Sequence, residues 1–128
     1  MIADSPGHAV EILDEAFNRG DLDAVLNFYE ANAVVVREPG RLARGHVEIR
    51  DFFTGAMQSG AQAKQLKTSI IEADGVALFL SRWTLNLPDA EQGTTKREFT
   101  ATPVFRRQAD GTWKALIDNP IGPLLLGA

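Results

Sequence analysis

No cysteine occurs in this sequence of 128 residues, which excludes a disulfide framework, a thiol nucleophile and a thiolate metal site. Histidine is nearly as scarce. His8 and His46 are the only two, far apart and without carboxylates at ligand spacing, so no metal is expected; His46, opening a helix, reads as a capping or surface residue. Basic charge is short as well: 13 Lys and Arg against 17 Asp and Glu give a net charge of −4. The nearest basic clusters, "KREF" and "FRRQ", would be spread over a sheet by alternation. A nucleic-acid partner is therefore not expected. No apolar run approaches a membrane span, and "MIADSPGHAVEILDEAF" has neither the basic start nor the apolar core of a signal peptide. The expectation is a cytoplasmic protein with no membrane contact. Gly-rich phosphate loops, a Gly-x-Ser-x-Gly elbow and a Ser-His-Asp set are missing too, and no cofactor is implied.

What is present is an ordinary globular composition, 45% hydrophobic and 23% charged, long enough for one domain over 1–128 with a real core. Ser5-Pro6 is a helix-start signal. Ala9, Leu13, Ala16 and Phe17 follow at helical spacing until Gly20 stops the run. Asp21 then caps a second helix whose Leu22, Val25, Leu26 and Tyr29 share a face. The "RGD" between the two helices reads as their corner, not as an adhesion motif. Ala33 to Val36 is a short strand ended by Pro39-Gly40. After a loop through "GRLARG", a third helix carries Ile49, Phe52, Phe53, Ala56 and Met57 on one face. From about Leu66 the period becomes two. "LKTSIIEA", "VALFLSRWTLNL", "TTKREFTATPVFRR" and "TWKALIDN" are strands separated by Asp74-Gly75, "PDAEQG" and Asp110-Gly111, an antiparallel meander.

Helices gathered before a sheet argue an α+β fold. The two long strands would each run roughly 40 Å, so the sheet must twist and curl. A cone follows: a curved antiparallel sheet with three helices on its concave side, enclosing a cavity.

The pattern "NRGDLDAVLNFYEANAVVVREPG...RGHVEIRDFF", followed by four strands and "DGTWKALIDN", resembles the cone-shaped superfamily of nuclear transport factor two, ketosteroid isomerase and the SnoaL-like polyketide cyclases. It spans about residues 8 to 119. That resemblance implies the cone fold and a function drawn from isomerases, cyclases, dehydratases, hydrolases and non-catalytic binding modules. Steroid isomerisation itself needs a Tyr, an oxyanion Asp and an Asp base. Leu13 stands at the Tyr position and Pro103 at the oxyanion Asp position. Arg37 stands at the base position, with Glu38 one residue late, on the opposite face unless the strand bulges.

Parity sets the expected cavity lining. Phe99, Ala101, Pro103 and Phe105 face inward, as do Phe79, Ser81, Trp83 and Leu85, and Leu116, Asp118 and Pro120 on the last strand. Leu13, Phe17 and Tyr29 are expected to add the helical side of a pocket for a small apolar organic ligand. Two readings of Asp118 stand: a poorly solvated carboxyl able to move protons, or a structural group in the "DNP" turn or paired with Arg37. Glu38 is either a solvated strand-end charge or part of the site, and Arg37 either binds an anionic group or pairs with a carboxylate. Tyr29 reads as packing between helix and strand, and Trp113 as packing at the last hairpin. Val76, Leu78, Leu80, Thr84, Val104, Ala115 and Ile117 would form a largely uncharged outer face, through which a two-fold homodimer is expected.

Overall fold

The computed structural model describes residues 4–89 and 93–127. The first helix, α1 (Pro6–Asn18), starts where Ser5 Oγ accepts the His8 backbone N–H at 3.1 Å and Pro6 takes the first turn. Gly20, at φ 75°, ends it, and Asp21 caps α2 (Leu22–Asn27) by accepting the Ala24 N–H. The chain turns at Phe28, and Tyr29 opens β1 (Tyr29–Glu38) instead of closing a helix. Two turns are too short for the helix to reach Tyr29, whose burial the sheet supplies. The expected loop through "GRLARG" contains β2 (Arg41–Arg44), a hairpin partner of β1 across Pro39-Gly40. Then come α3 (Gly45–Gln58), β3 (Gln62–Ala73) and β4 (Val76–Asp89). Asp74 and Gly75, both at positive φ, turn β3 into β4, the backbone a two-residue hairpin demands.

The expected strand from 94 to 107 is two strands, β5 (Gly93–Ala101) and β6 (Val104–Arg107), interrupted at Thr102-Pro103. Proline brings no N–H to a ladder, and here its carbonyl accepts the Phe79 N–H instead. The "PDAEQG" turn falls partly on 90–92, outside the described residues. Last come β7 (Trp113–Asp118) and a 3-10 turn, Gly122–Leu126.

The sheet runs β2-β1-β7-β6-β4-β3, with β5 also paired to β4. Every pairing is antiparallel except β1 with β7, which is parallel. The sheet is therefore mixed. α1 packs on β3 and β7, α3 on β1. Between helices and sheet, Phe28 meets Tyr29 and Phe105 edge-on at 5.1 and 5.4 Å, and Phe105 meets Phe79 at 5.7 Å. Burying each such ring stabilises the fold by roughly 1.5–3 kcal/mol. Among the described residues no helix is long and apolar enough to cross a membrane.

Register shifts between paired strands bear on which side chains face inward. Val104 and Phe105 pair with Ile117 and Ala115, leaving Leu116 as an extra residue in β7. Strict alternation would have put Leu116 in the cavity and Ala115 outside. The bulge reverses both, so Ala115 is 0% exposed and Leu116 does not line the cavity, while Asp118 does. Thr84, expected outside, is 1% exposed because it lies between Lys64 and Glu98 on the two strands flanking β4. Further shifts fall between Val36 and Glu38, between Tyr29 and Val34, and between Gln65 and Lys67.

Candidate functional site

The space between helices and sheet is a cavity of about 320 Å³, within the range of small-ligand pockets. Its wall is mostly aromatic and aliphatic. Leu13 and Phe17 enter from α1, Tyr29 from β1, Trp83 and Leu85 from β4, Phe99 and Ala101 from β5, and Pro103 from the break before β6. Leu13 and Pro103, where a steroid isomerase carries its two donors, give the cavity no hydrogen-bond donor.

Asp118 reaches the cavity from the end of β7. Tyr29 Oη donates to its Oδ2 at 2.5 Å, and Arg37 is not its partner. The phenol is held in place: His46 Nε2–H donates to the Tyr29 carbonyl at 3.0 Å, and Phe28 and Phe53 contact the ring at 5.1 and 5.8 Å. Asp118 as a residue is partly exposed and lines the cavity, while protein encloses its carboxyl. Burial raises its pKa above the ordinary value, only partly opposed by the Tyr29 hydrogen bond. Burial first, then the Asp118 charge, pushes the Tyr29 phenol well above its usual range. The phenol thus stays protonated and donating.

A second carboxyl, Asp14 on α1, also lines the cavity, and the sequence reading missed it. The signal was there. Val10, Leu13, Asp14 and Phe17 form one helical stripe, and all four line the cavity. Asn18 fixes this stripe against β3 by exchanging two hydrogen bonds with the Ala63 backbone, at 3.0 and 2.8 Å. One helical turn earlier sits Asp14, and two strand residues later sits Gln65. Gln65 Nε2 donates to Asp14 Oδ2 at 3.0 Å, and the Ser81 hydroxyl donates to Gln65 Oε1. Burial raises the Asp14 pKa to about 6, with Gln65 lowering it and the Asp118 charge raising it further.

Arg37 stands at the rim, lining both the cavity and the surface groove outside it. Its guanidinium lies 5.6 Å from the Phe52 ring centroid and 3.4 Å from Asp51 Oδ2. Glu38 is corrected: despite the bulge it is exposed, lies outside the cavity and pairs with Arg41 at 2.9 Å. The register sets it directly opposite Arg41, which explains the pairing. Trp83 also lines the cavity, its Nε1–H donating to the Pro120 carbonyl at 2.9 Å and its indole 5.2 Å from Phe99. Among the described residues no group of three or more acidic or imidazole side chains could hold a metal ion.

Solved structures share this architecture. A candidate dehydratase of the NTF2-like family from Streptomyces avermitilis is 20% identical over 90% of this chain and 93% of its own, at a TM-score of 0.75. A candidate ketosteroid isomerase from Shewanella frigidimarina is 20% identical over 88% and 91%, at 0.76. An NTF2-like protein with a cystatin-like fold from Novosphingobium aromaticivorans is 15% identical over 94% and 79%, at 0.76. At such identities the likeness is one of fold. Among curated protein sequences none matches this chain. The profile of the SnoaL-like domain matches residues 10–116, and with the cone fold around its cavity this places the chain in the SnoaL-like domain family.

Proposed function

We propose that this protein takes up a small apolar organic molecule carrying a carbonyl group and acts on it by cofactor-free acid–base chemistry of the isomerase, cyclase or dehydratase kind. The observation that carries the reading is Asp118. It is a carboxyl buried in an aromatic cavity, with Oδ2 held by Tyr29 and Oδ1 accepting no hydrogen bond among the described residues. A carboxylate so placed is a stronger base than in water and has a free oxygen for a substrate proton. The family and the candidate isomerase and dehydratase among its structural relatives support the same class. Trp83 and Phe99 serve as the flat wall for the apolar body, and Arg37 meets any anionic group at the rim.

The chemistry is enolisation. Asp118 removes a proton from the carbon beside the carbonyl, the C–H electron pair moves into the enolate, and reprotonation at carbon reverses the step. The test is deuterium uptake from D₂O into 2-tetralone, an apolar bicyclic ketone, followed by NMR. Wild type accelerates uptake and Asp118→Asn loses that acceleration. Wild type that binds the ketone without exchanging it is the other outcome, and it makes the cavity a binding module.

The functional unit is a homodimer joined through the outer sheet face. Ile71, Leu78, Val104 and Ile117 are directly opposite one another in consecutive strand pairs, and Val34 continues the row on β1. Ile71 and Ile117 are 61% and 44% exposed. An apolar ridge across five strands is the surface a second copy covers.

A further inference from the structure

Asp14 has no part in the reaction just described, yet its setting parallels that of Asp118. Each carboxyl has Oδ2 fixed by one neutral donor, Gln65 Nε2 for Asp14 and Tyr29 Oη for Asp118. Among the described residues neither Oδ1 accepts a hydrogen bond, and both side chains line the same cavity from different elements. The charged or titratable side chains facing that space are Asp14 from α1, Tyr29 and Arg37 from β1, and Asp118 from β7. The lining residues of α3, β3, β4, β5, β6 and the C-terminal segment are neutral. Arg37 has its own carboxylate in Asp51. Two acids thus share one apolar enclosure without a cation between them.

Like charges in such a space cannot both form cheaply, so the two carboxyls titrate in separate steps, and the pair holds one proton in mildly acidic solution, below the Asp14 pKa of about 6. Which carboxyl keeps it follows from the anchors. Tyr29 is a fully enclosed phenol with a short bond to Asp118, and it favours charge there; Gln65 is a weaker neutral amide donor, and Asp14 keeps the proton.

We propose that Asp14 is the second proton-transferring group of this cavity, giving its proton to the carbonyl oxygen of a bound ketone while Asp118 removes one from the adjacent carbon. This rests on the acid–base reading above. The step balances: the C–H bond breaks to Asp118, the C–H pair becomes the C=C of the enol, the carbonyl π pair takes the Asp14 proton, and both transfers reverse on reketonisation. No oxidant, metal or leaving group enters. The Ser81–Gln65 relay is the positioning device, holding Asp14 by one oxygen so that the other meets the ligand.

The test follows deuterium uptake into 2-tetralone against pH in wild type, Asp14→Asn and Gln65→Leu, with the Asp14 carboxyl titrated by ¹³C NMR in wild type and Asp118→Asn. A bell-shaped wild-type profile is expected. Asp14→Asn lowers the rate by about 100-fold or more and removes the alkaline limb. Gln65→Leu, which deletes the donor that lowers the Asp14 pKa, moves that limb to higher pH, and Asp118→Asn lowers the Asp14 pKa. A merely structural Asp14 moves the rate without moving the limb, which overturns the proposal. An Asp14 titration indifferent to Asp118→Asn overturns it too, even where no ketone turns over. Exchange that survives Asp14→Asn but not Asp118→Asn sinks the role of Asp14 alone. No exchange by wild type sinks both readings.

Discussion

Tyr29 and Asp118, 89 residues apart, meet in a 2.5 Å hydrogen bond in the wall of the cavity. The parallel pairing of β1 with β7 brings them together, Asp118 lying at the regular end of β7. Tyr29→Phe keeps the ring and its contacts with Phe28 and Phe53 but leaves the carboxyl without its donor. The Asp118 pKa should rise further, because the lost bond was the one contribution lowering it. Stability should fall by about 1–3 kcal/mol, most where Asp118 is ionised. Denaturant unfolding at acidic and alkaline pH measures both effects.

Asp14 gives a pH signature with a definite sign. Its folded pKa of about 6 exceeds the ordinary 3.8. Below the lower value both folded and unfolded chains are protonated and no penalty exists. As pH rises through the window the unfolded chain releases its proton first, so stability drops and the loss is complete above the folded pKa. Relative to wild type, Asp14→Asn should gain of the order of 2–3 kcal/mol between about pH 4 and about pH 7. Parallel urea unfolding curves check this, since groups not coupled to Asp14 cancel in the difference.

Gly122 controls the C-terminal wall. A Cβ there would sit 2.3 Å from the Thr100 carbonyl oxygen, on a backbone at φ 54°. Thr102 N–H to the Asn119 carbonyl, at 2.9 Å, and Asn119 Nδ2 to the Gly122 carbonyl, at 3.1 Å, tie the same segment to the break after β5 and to itself. Gly122→Ala should displace Pro120 and Ile121 from the cavity and cost about 2 kcal/mol or more. Gly111→Ala is the control: its φ is 85° with nothing near the added carbon, so it should cost only about 1–2 kcal/mol and leave 2-tetralone binding unchanged.

The outer ridge makes a mass prediction. Wild type should elute with twice the 14.0 kDa chain mass in size exclusion with light scattering. Leu78→Glu, at the centre of the row and 40% exposed, should give a folded monomer. A wild-type monomer at micromolar concentration contradicts the dimer.

The legibility of this fold follows the kind of signal each element carries. Helix caps at Ser5 and Asp21 and the Asp74-Gly75 turn are local chemistry, and they stand where the residues say. Alternation placed Phe79, Trp83, Phe99 and Asp118 toward the cavity because β4, β5 and the end of β7 are regular there. It misplaced Leu116 and Ala115 because a bulge depends on the partner strand, which no local pattern records. Tyr29 looked helical for a similar reason: its spacing from Leu22, Val25 and Leu26 fits a helix, and only sheet pairing overrides it. Asp14 was hidden among apolar neighbours in a helical stripe, where its charge drew attention from the face it occupies. Its partner Gln65 lay outside the strand as bounded by apolar alternation from Leu66, whereas β3 begins at Gln62.

The central claim is that Asp118 is an enclosed carboxyl available to a ligand. Titration of its side-chain carboxyl carbon by ¹³C NMR, with Asp118→Asn to assign the signal, addresses it directly. A midpoint clearly above the ordinary 3.8 is the predicted result, with a further upward shift in Tyr29→Phe. A midpoint at or below that value would mean a solvated or tightly compensated carboxylate and would contradict the proton-transfer role.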